Sequence, residues 1–339
     1  MGHAVWSAMA VGVLCVACSS NVGAPPQAPI DWAAFDAGAA AKAPTNVPTA
    51  KERGVAEAYA AALGSPGFAQ LGPLLDEDAH FSFPGADDAR GRTQVVHAHD
   101  VLFGAFDQRH FVTTRVLRTA SEQTTEWTMA GIQAHDWMRV TATQKPVSIR
   151  GLTLLWTKDD GSVLDAHVYF DVAAVKAQLG VAPKGLAPIP PPPVPTEAPQ
   201  IIDQTGKEAD NVGMVRTALD AFENNEAIYL GALTDDIEVH SLERAEPTHT
   251  KDEARAYYKA MHKAVAQLDT TVTDGWAVAQ FAVVEYTIAG EQLGPIGWVP
   301  AQKDAVIRLH VVDVDELRDG RIARTWRYDN PAETMTPGP

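Results

Sequence analysis

One six-residue sequence occurs twice in this chain with only an aromatic-for-aromatic and an apolar-for-apolar change, and the repetition limits the possible folds more than any other feature. EWTMAG spans residues 126–131 and EYTIAG spans residues 285–290, so the two copies start 159 residues apart. Other identical positions keep the same spacing: Asp160 and Asp319, Gly161 and Gly320, Tyr169 and Tyr328. Two copies are too few for a solenoid, in which three or more units share one continuous core. The sequence therefore predicts two complete domains of related fold.

Proline-rich segments mark the boundaries of these domains. The chain has 339 residues, enough for two or three domains, and the stretch APKGLAPIPPPPVPTEAPQ favours extended polyproline II because proline donates no backbone hydrogen bond. We expect a signal peptide (1–18), an Ala/Pro-rich tether (19–50), a first domain (51–180), a proline-rich linker (181–207), a second domain (208–332) and a short tail (333–339).

Both copies show the same order of elements. ERGVAEAYAAAL and VGMVRTALDAFEN have apolar residues at helical spacing, and each is followed by a short strand-like run and by a further helix. The remainder of each copy is rich in strand-forming residues. Helices followed by antiparallel strands are typical of an α+β domain, with helices packed on one face of a sheet.

The end of each copy carries a short motif that is typical of one family. Asp160-Gly161 precedes SVLDAHVYFD, and Asp319-Gly320 precedes RIARTWRYDN. With the element order, this ending resembles the SnoaL-like (polyketide or ester cyclase-like) branch of the nuclear transport factor 2-like superfamily. The resemblance implies two cone-shaped domains, each with three N-terminal helices on a curved, mainly antiparallel sheet that encloses a cavity. It also implies sheet-to-sheet packing of the two copies as an intrachain pseudo-dimer.

The last strand of the first copy carries the main catalytic candidates. Alternation along a strand places His167, Tyr169 and Asp171 on one face. By the family resemblance Asp171 is the acid/base that acts on a carbonyl substrate, and an apolar cone would favour its neutral form. His167 and Tyr169 would orient Asp171 or donate to an enolate oxygen. Alternatively, Asp171 caps the following helix, Tyr169 fills space and His167 is a satisfied surface residue.

The second copy differs at the closing residue. Asn330 takes the position of Asp171 and cannot act as a general base, whereas Asp329 is turned away from Trp326 and Tyr328, alongside Arg327. The candidate pocket residues are Trp127 in the first copy and His240, His262, Trp326, Tyr328, Asn330 and Asp329 in the second. A partly buried structural histidine is an equally good interpretation of His240.

Charge and cysteine content exclude several functions. The formal net charge of −16 would repel a phosphate backbone, so no nucleic-acid partner is expected. Only Cys15 and Cys18 are present, which leaves both domains without a thiol nucleophile or a cysteine metal site. We expect no metal and no cofactor. Two functions remain open: a protein that binds a small hydrophobic molecule or a partner, and a cofactor-independent cyclase or isomerase that uses Asp171.

The N-terminus is typical of an export signal. Residues 4–18, AVWSAMAVGVLCVAC, are almost entirely apolar but too few to span a bilayer comfortably. CVAC resembles the lipobox of bacterial lipoproteins, which implies that Cys18 is acylated and that the protein is held at the bacterial cell envelope, on the outer membrane or the periplasmic face, with membrane contact only through this lipid. The alternatives are a cleaved signal peptide with secretion, or a short anchor.

Overall fold

The computed structural model describes residues 50–335, except residues 187, 188, 190, 209, 243, 245, 303 and 304. The predicted signal peptide, Cys18 and the tether up to residue 49 lie outside the described residues, as do residues 336–339 of the tail. None of the helices in the described part is long and apolar enough to cross a membrane.

The first half of the described chain forms one sheet with helices on one side. Its helices are α1 (Ala50–Leu63), α2 (Arg92–Phe103) and α3 (Val172–Leu179), with 3₁₀ helices at Pro66–Phe68 and Gly72–Leu74. Its strands are β1 (Leu75–Ser82), β2 (Ala89–Arg90), β3 (Phe106–Arg118), β4 (Glu122–Gln133), β5 (Pro146–Thr157), β6 (Val163–Phe170) and β7 (Gln200–Asp203). The strand order is β2-β1-β6-β5-β4-β3-β7. Because β7 belongs to the predicted linker and pairs in parallel with β3, the linker extends this sheet.

The second half repeats this architecture. Its helices are α4 (Asn211–Asn224), α5 (Glu226–Gly231) and α6 (Lys251–Ala264), with a 3₁₀ helix at Pro331–Met335. Its strands are β8 (Leu233–Ser241), β9 (Val265–Val278), β10 (Phe281–Gln292), β11 (Val306–Arg318) and β12 (Arg321–Asp329), in the order β8-β12-β11-β10-β9. In the first half β1 runs parallel to β6, and in the second half β8 runs parallel to β12. The pairs from β6 to β3 and from β12 to β9 in these orders are antiparallel. The predicted α+β class with two repeated cone-shaped domains is confirmed.

Short polar side chains fix where the helices begin. Asp171 caps α3 by accepting hydrogen bonds from the backbone N–H groups of Ala173 and Ala174. Thr250 caps α6 by accepting from the N–H of Glu253. In each case the side-chain oxygen satisfies a donor that the first helical turn leaves free.

Each sheet has two buried faces, one against its own helices and one against the other sheet. The core between the sheets combines Leu117, Leu152, Leu154 and Tyr169 of the first domain with Trp276, Val278, Phe281, Val283, Val312, Val314 and Tyr328 of the second. Because side chains alternate along a strand, every second residue of a central strand lies in this interface and the residues between them lie inside a domain.

Candidate functional site

The first two residues of the repeated six-residue sequence lie on opposite faces of their strand. Glu126 and Glu285 lie at matching positions of β4 and β10, opposite Leu152 and Val312 respectively, and point to the interface between the domains. The aromatic residues that follow, Trp127 and Tyr286, lie inside their own domains, in the two separate cores.

The two glutamates make reciprocal contacts across the interface. The hydroxyl of Tyr328 donates to Oε1 of Glu126 at 2.6 Å, and the hydroxyl of Tyr169 donates to Oε1 of Glu285 at 2.5 Å. Equivalent tyrosine and glutamate residues thus form the same hydrogen bond in both directions across the interface, as an approximate two-fold axis between the domains requires. Tyr169 and Tyr328, predicted on a cavity face, therefore lie between the sheets instead.

The other candidates on these faces also lie outside a cone cavity. His167 Nδ1 is 2.5 Å from Oε1 of Glu285. Trp326 stacks on the ring of His240 with centroids 5.5 Å apart, and the guanidinium of Arg115 covers Trp326 at 3.8 Å. Burial lowers the pKa of His240, although Glu238 opposes the shift. The structure therefore assigns these side chains to the junction of the domains.

The closing residues of the two copies meet at this junction. The N–H of Val172 donates to Oδ1 of Asn330 at 3.3 Å. Asp171 is buried, and its Oδ1 accepts the N–H of Ala173 at 2.7 Å and that of Ala174 at 3.1 Å. The capping interpretation of Asp171 is thus seen directly, whereas its side chain lies outside the cone in which an acid/base was expected.

Aromatic side chains fill the interior of the first domain. Trp127 donates from Nε1 to Thr153 at 3.0 Å and packs edge-on against Phe103 and Phe111. His99 is fully buried against Phe103 and other aromatic rings of this core, and burial lowers its pKa to about 4. The neutral ring accepts a hydrogen bond from Tyr59 at Nε2, while Nδ1 donates to the carbonyl of Val95. The predicted pocket residue Trp127 is therefore part of a packed core.

The second domain encloses a cavity of about 450 Å³ between its helices and its sheet. Most of its walls are apolar, with contributions from Leu219, Val239, Met261, Ile288, Ile307 and Leu309. His262 is not among the lining residues; its Nε2 contacts the carbonyl oxygen of Phe222 at 2.7 Å, and its ring packs on Tyr258. A cavity of this size and polarity is typical of small-molecule sites.

The floor of this cavity is polar and lies on β11 and β12. Nε and Nη2 of Arg327 donate to the two carboxylate oxygens of Asp313 at 3.0 and 2.8 Å, and the hydroxyl of Tyr286 donates to Oδ2 at 2.8 Å. The hydroxyl of Tyr257 is 3.1 Å from Nη1 of Arg327. Burial alone would lower the pKa of Arg327, but Asp313 holds it well above its ordinary value. This forms a buried ion pair.

Asp315 lies two residues further along the same face of β11 and has a different hydrogen-bond partner. Its Oδ1 accepts a hydrogen bond from Thr325 at 2.5 Å. Its Oδ2 is buried, and no described residue forms a hydrogen bond with it. Burial, and then the charge of Asp313, raise the pKa of Asp315 well above its ordinary value. The protonated carboxylic acid is therefore favoured at the floor of the cavity.

Asp329 also lines the cavity, on the side that strand alternation predicts. Arg327, which alternation places on the same face, forms an ion pair with Asp313. In the part of the chain that the structure describes, no group of three or more His, Cys, Asp or Glu side chains could hold a metal ion.

The polar floor is present in one domain only. Strand pairing aligns Asp313 with Thr153, Asp315 with Leu155, Thr325 with Ala166, Arg327 with Val168 and Asp329 with Phe170. Sequence reasoning missed Asp313 and Asp315, although the alternation in VVDVDEL would place both acids on one face of a strand. Two acids on the inward face of a predicted strand were the feature of the sequence that could have identified this site.

Both domains match the model of one protein family. A family model described as SnoaL-like domain matches residues 56–165 and 215–325. No curated protein matches the chain. Similar solved structures include a protein with the provisional name SnoaL-like polyketide cyclase from Jannaschia sp. CCS1, at 18% identity, with 38% of this chain and 92% of that chain covered and a TM-score of 0.35. An LEH-like epoxide hydrolase from M. tuberculosis has 17% identity, with 37% and 86% covered and a TM-score of 0.31.

Proposed function

The chain belongs to the SnoaL-like domain family through both of its domains, and we propose that its second domain binds a small, largely hydrophobic molecule in the cavity above Asp313 and Asp315. The observation that carries this proposal is the difference between the two interiors. The first is filled with aromatic rings, whereas the second keeps about 450 Å³ of space over a polar floor. The first domain then serves as a scaffold that packs on the second.

The floor supports recognition of a polar group on that molecule. A buried carboxyl group without a partner at one oxygen is unfavourable unless a ligand completes its hydrogen bonds. Asp315 in its protonated form can donate from Oδ2 to an oxygen of the ligand. We therefore expect an apolar body with at least one hydrogen-bond acceptor, such as a carbonyl oxygen.

An acid/base reaction is the second candidate function, and the pKa of Asp315 favours it. Proton transfer requires a group whose pKa lies near the working pH, and burial moves Asp315 in that direction. A buried acid with a raised pKa beside a second carboxyl group is typical of acid/base sites. In this proposal the role that the sequence assigned to Asp171 passes to Asp315, which would act on a carbonyl compound as a cyclase or isomerase.

Binding can be tested by closing the cavity without disturbing its floor. Ala260 lies on α6 at the mouth and is exposed, so Ala260→Trp should block entry at little cost in stability. The matched control is Ala61→Trp, at an exposed position of α1 in the first domain. Native mass spectrometry of the purified proteins should detect a co-purifying small molecule, or an added apolar ketone, on the parent chain and on Ala61→Trp but not on Ala260→Trp. Equal retention by all three would contradict the proposal.

Catalysis is tested by exchanging the two candidate acids separately. Asp315→Asn keeps the shape of the side chain but removes the titrating group, and should abolish conversion of carbonyl substrates while retaining binding. Asp171→Asn should leave the conversion unchanged. Loss of turnover in Asp171→Asn alone would return the catalytic role to the first domain.

We also propose that the protein acts at the bacterial cell envelope. The support is the apolar segment that ends in CVAC at Cys18. Expression with a radiolabelled fatty acid should label the parent chain and not Cys18→Ala, and the variant should move from the membrane fraction to the soluble fraction. An unlabelled parent chain would favour an ordinary signal peptide and secretion.

A further inference from the structure

A second, smaller space lies where both domains and the linker meet. This cleft has a volume of about 250 Å³ and is walled by β5, α3, the linker prolines Pro191–Pro193, and the segment that follows β8. Its apolar contacts include Val175, Ile189 and Leu242. It lies on the outer face of the first sheet and is lined by different residues from the cavity of the second domain, except for Arg244.

A buried hydroxyl without a partner lies in the wall of this cleft. Ser148 on β5 is 5% exposed, and its Oγ forms no hydrogen bond with any described residue. Its backbone groups are satisfied, because its N–H donates to Oε1 of Gln178 and its carbonyl accepts from Nε2 of the same side chain. Only the hydroxyl of Ser148 is left to form a hydrogen bond with a ligand, and a buried hydroxyl without a hydrogen bond is unfavourable.

A half-buried cation lies two residues further along the same strand face. Arg150 donates from Nη2 to the carbonyl of Ser241 at 3.2 Å, and it forms no ion pair with a described residue. At the equivalent position of the second domain, His310 Nδ1 lies 3.4 Å from a carboxylate oxygen of Glu333. Among the described residues, no anion therefore accompanies this position in the first domain as Glu333 does in the second, and partly buried charges are normally paired.

The remaining charges of the cleft leave room for an anion. Arg244 lines the cleft from the second domain and has no ion pair with a described residue. Among the described residues of the lining, the acids are Asp171 and Glu246. Oδ1 of Asp171 is held by the first N–H groups of α3, and Glu246 is exposed at the rim.

We propose that this cleft is a second ligand site and that it binds a small carboxylate with a compact apolar body. The carboxylate would accept hydrogen bonds from Arg150 and Ser148, and the apolar body would contact Leu242 and the linker prolines. Guanidinium groups suit carboxylates because their N–H donors match the two oxygens. Since both domains and the linker contribute to the cleft, a bound carboxylate would join all three.

The test uses the purified full chain with benzoate as the probe and benzamide as its uncharged isostere, measured by titration calorimetry or saturation-transfer NMR. Benzoate should bind, and benzamide should bind at least about tenfold more weakly, because hydrogen bonds to charged groups are the stronger ones. Arg150→Gln should weaken benzoate binding at least about tenfold, and Ser148→Ala by a few-fold. Arg216→Gln removes the same charge at an exposed site on α4 and should change nothing.

Several results would overturn the proposal. Equal binding of benzoate and benzamide would show a merely apolar contact, and unchanged benzoate binding in both Arg150→Gln and Ser148→Ala would place the probe elsewhere. Ala260→Trp, which blocks the other cavity, should leave benzoate binding intact. Loss of benzoate binding in this variant would assign the probe to the cavity of the second domain. Should Arg150→Gln fail to fold, Ser148→Ala decides alone, because it removes one oxygen atom.

Discussion

The hydroxyl of Tyr328 in the second domain donates a hydrogen bond of 2.6 Å to Glu126 in the first. Its equivalent, Tyr169 in the first domain, does the same for Glu285 in the second. The two glutamates begin the repeated six-residue sequence, and both are almost completely buried. The repetition therefore preserves a reciprocal polar contact between the domains, in addition to a strand within each. The cation beside each glutamate differs: Arg115 of the same domain for Glu126, and His167 of the other domain for Glu285.

Removing either tyrosine hydroxyl should loosen the interface. We expect Tyr328→Phe and Tyr169→Phe each to lower the free energy of unfolding by about 1–3 kcal/mol, because each leaves a buried carboxylate short of one donor. Denaturant unfolding measures this loss. The effects of the two variants should add, since they belong to different contacts, whereas Tyr169→Phe combined with Glu285→Gln should be strongly non-additive. Changes below about 0.3 kcal/mol in both single variants would show that these bonds do not stabilise the interface.

The two contacts should respond differently to pH. Burial would lower the pKa of His167, but the hydrogen bond to Glu285 and its charge raise it above the ordinary value. A histidine whose pKa is raised by folding stabilises the protein fully below about pH 6.5, and this contribution is lost as the pH rises through the folded-state pKa. The groups that face His167 are Glu285, Asp165, Tyr169 and the ring of Trp156.

His167→Gln should therefore cost most stability in mildly acidic solution and least in alkaline solution. The pKa of Glu285 is lowered by His167 although burial opposes the shift, so the acid limit of the effect lies below the ordinary glutamate value of about 4.3. Denaturant unfolding at pH 6 and pH 9 compares the variant with the parent chain. Tyr328→Phe is the matched control, because Arg115 beside Glu126 keeps its charge over this range. A pH-independent loss in His167→Gln would contradict the assignment.

The sequence was sufficient to predict the fold class, because helix and strand periodicity is a local property, and the proline-rich boundaries and the repeat can be recognised in the sequence directly. It could not show which face of the last strand was inside. Alternation correctly grouped His167 with Tyr169, but the choice between cavity and interface depends on where the second sheet packs, and that is a contact between residues more than a hundred positions apart. The family resemblance directed attention to Asp171, at the end of the last strand of the first domain. The acids Asp313 and Asp315 on the cavity floor lie instead on β11, the last strand but one of the second domain.

Asp171 should behave as a helix cap. Asp171→Ala should lower the free energy of unfolding by about 0.5–2 kcal/mol, because two N–H groups at the start of α3 lose their acceptor. Asp171→Asn should be nearly neutral, since asparagine caps equally well. Ligand retention in the cavity of the second domain should be unchanged in both variants. Loss of retention without loss of stability would contradict a capping role.

Gly151 is required by the tryptophan of the repeated sequence. A Cβ atom at Gly151 would lie 2.5 Å from the ring of Trp127 and 2.8 Å from the backbone oxygen of Tyr169. The equivalent pair in the second domain is Val311 with Tyr286. Gly151→Val should therefore cost about 1–3 kcal/mol in thermal or denaturant unfolding. Adding Trp127→Tyr should recover part of this loss, and a lack of any recovery would show that the backbone contact dominates.

We expect the buried Asp315 on the cavity floor to lower the free energy of unfolding. Its raised pKa means that the folded protein holds a proton that the unfolded chain releases above about pH 3.9, so stability falls as the pH rises from there to the folded-state pKa. The first domain avoids this cost, because Leu155 and Ala166 stand where the second has Asp315 and Thr325.

Asp315→Leu combined with Thr325→Ala should therefore make the protein more stable at pH 7 by about 1–3 kcal/mol, the usual cost of a buried polar group that lacks a hydrogen bond. The gain should shrink as the pH approaches 4, and the same variant should lose binding of a ligand that requires a donor at the floor. Asp220→Leu replaces an exposed acid on α4 and should show no such pH-dependent gain. A stability difference that stays constant between pH 4 and pH 8 would mean that Asp315 is ionised in the folded protein. In that case it could not donate a proton to a ligand.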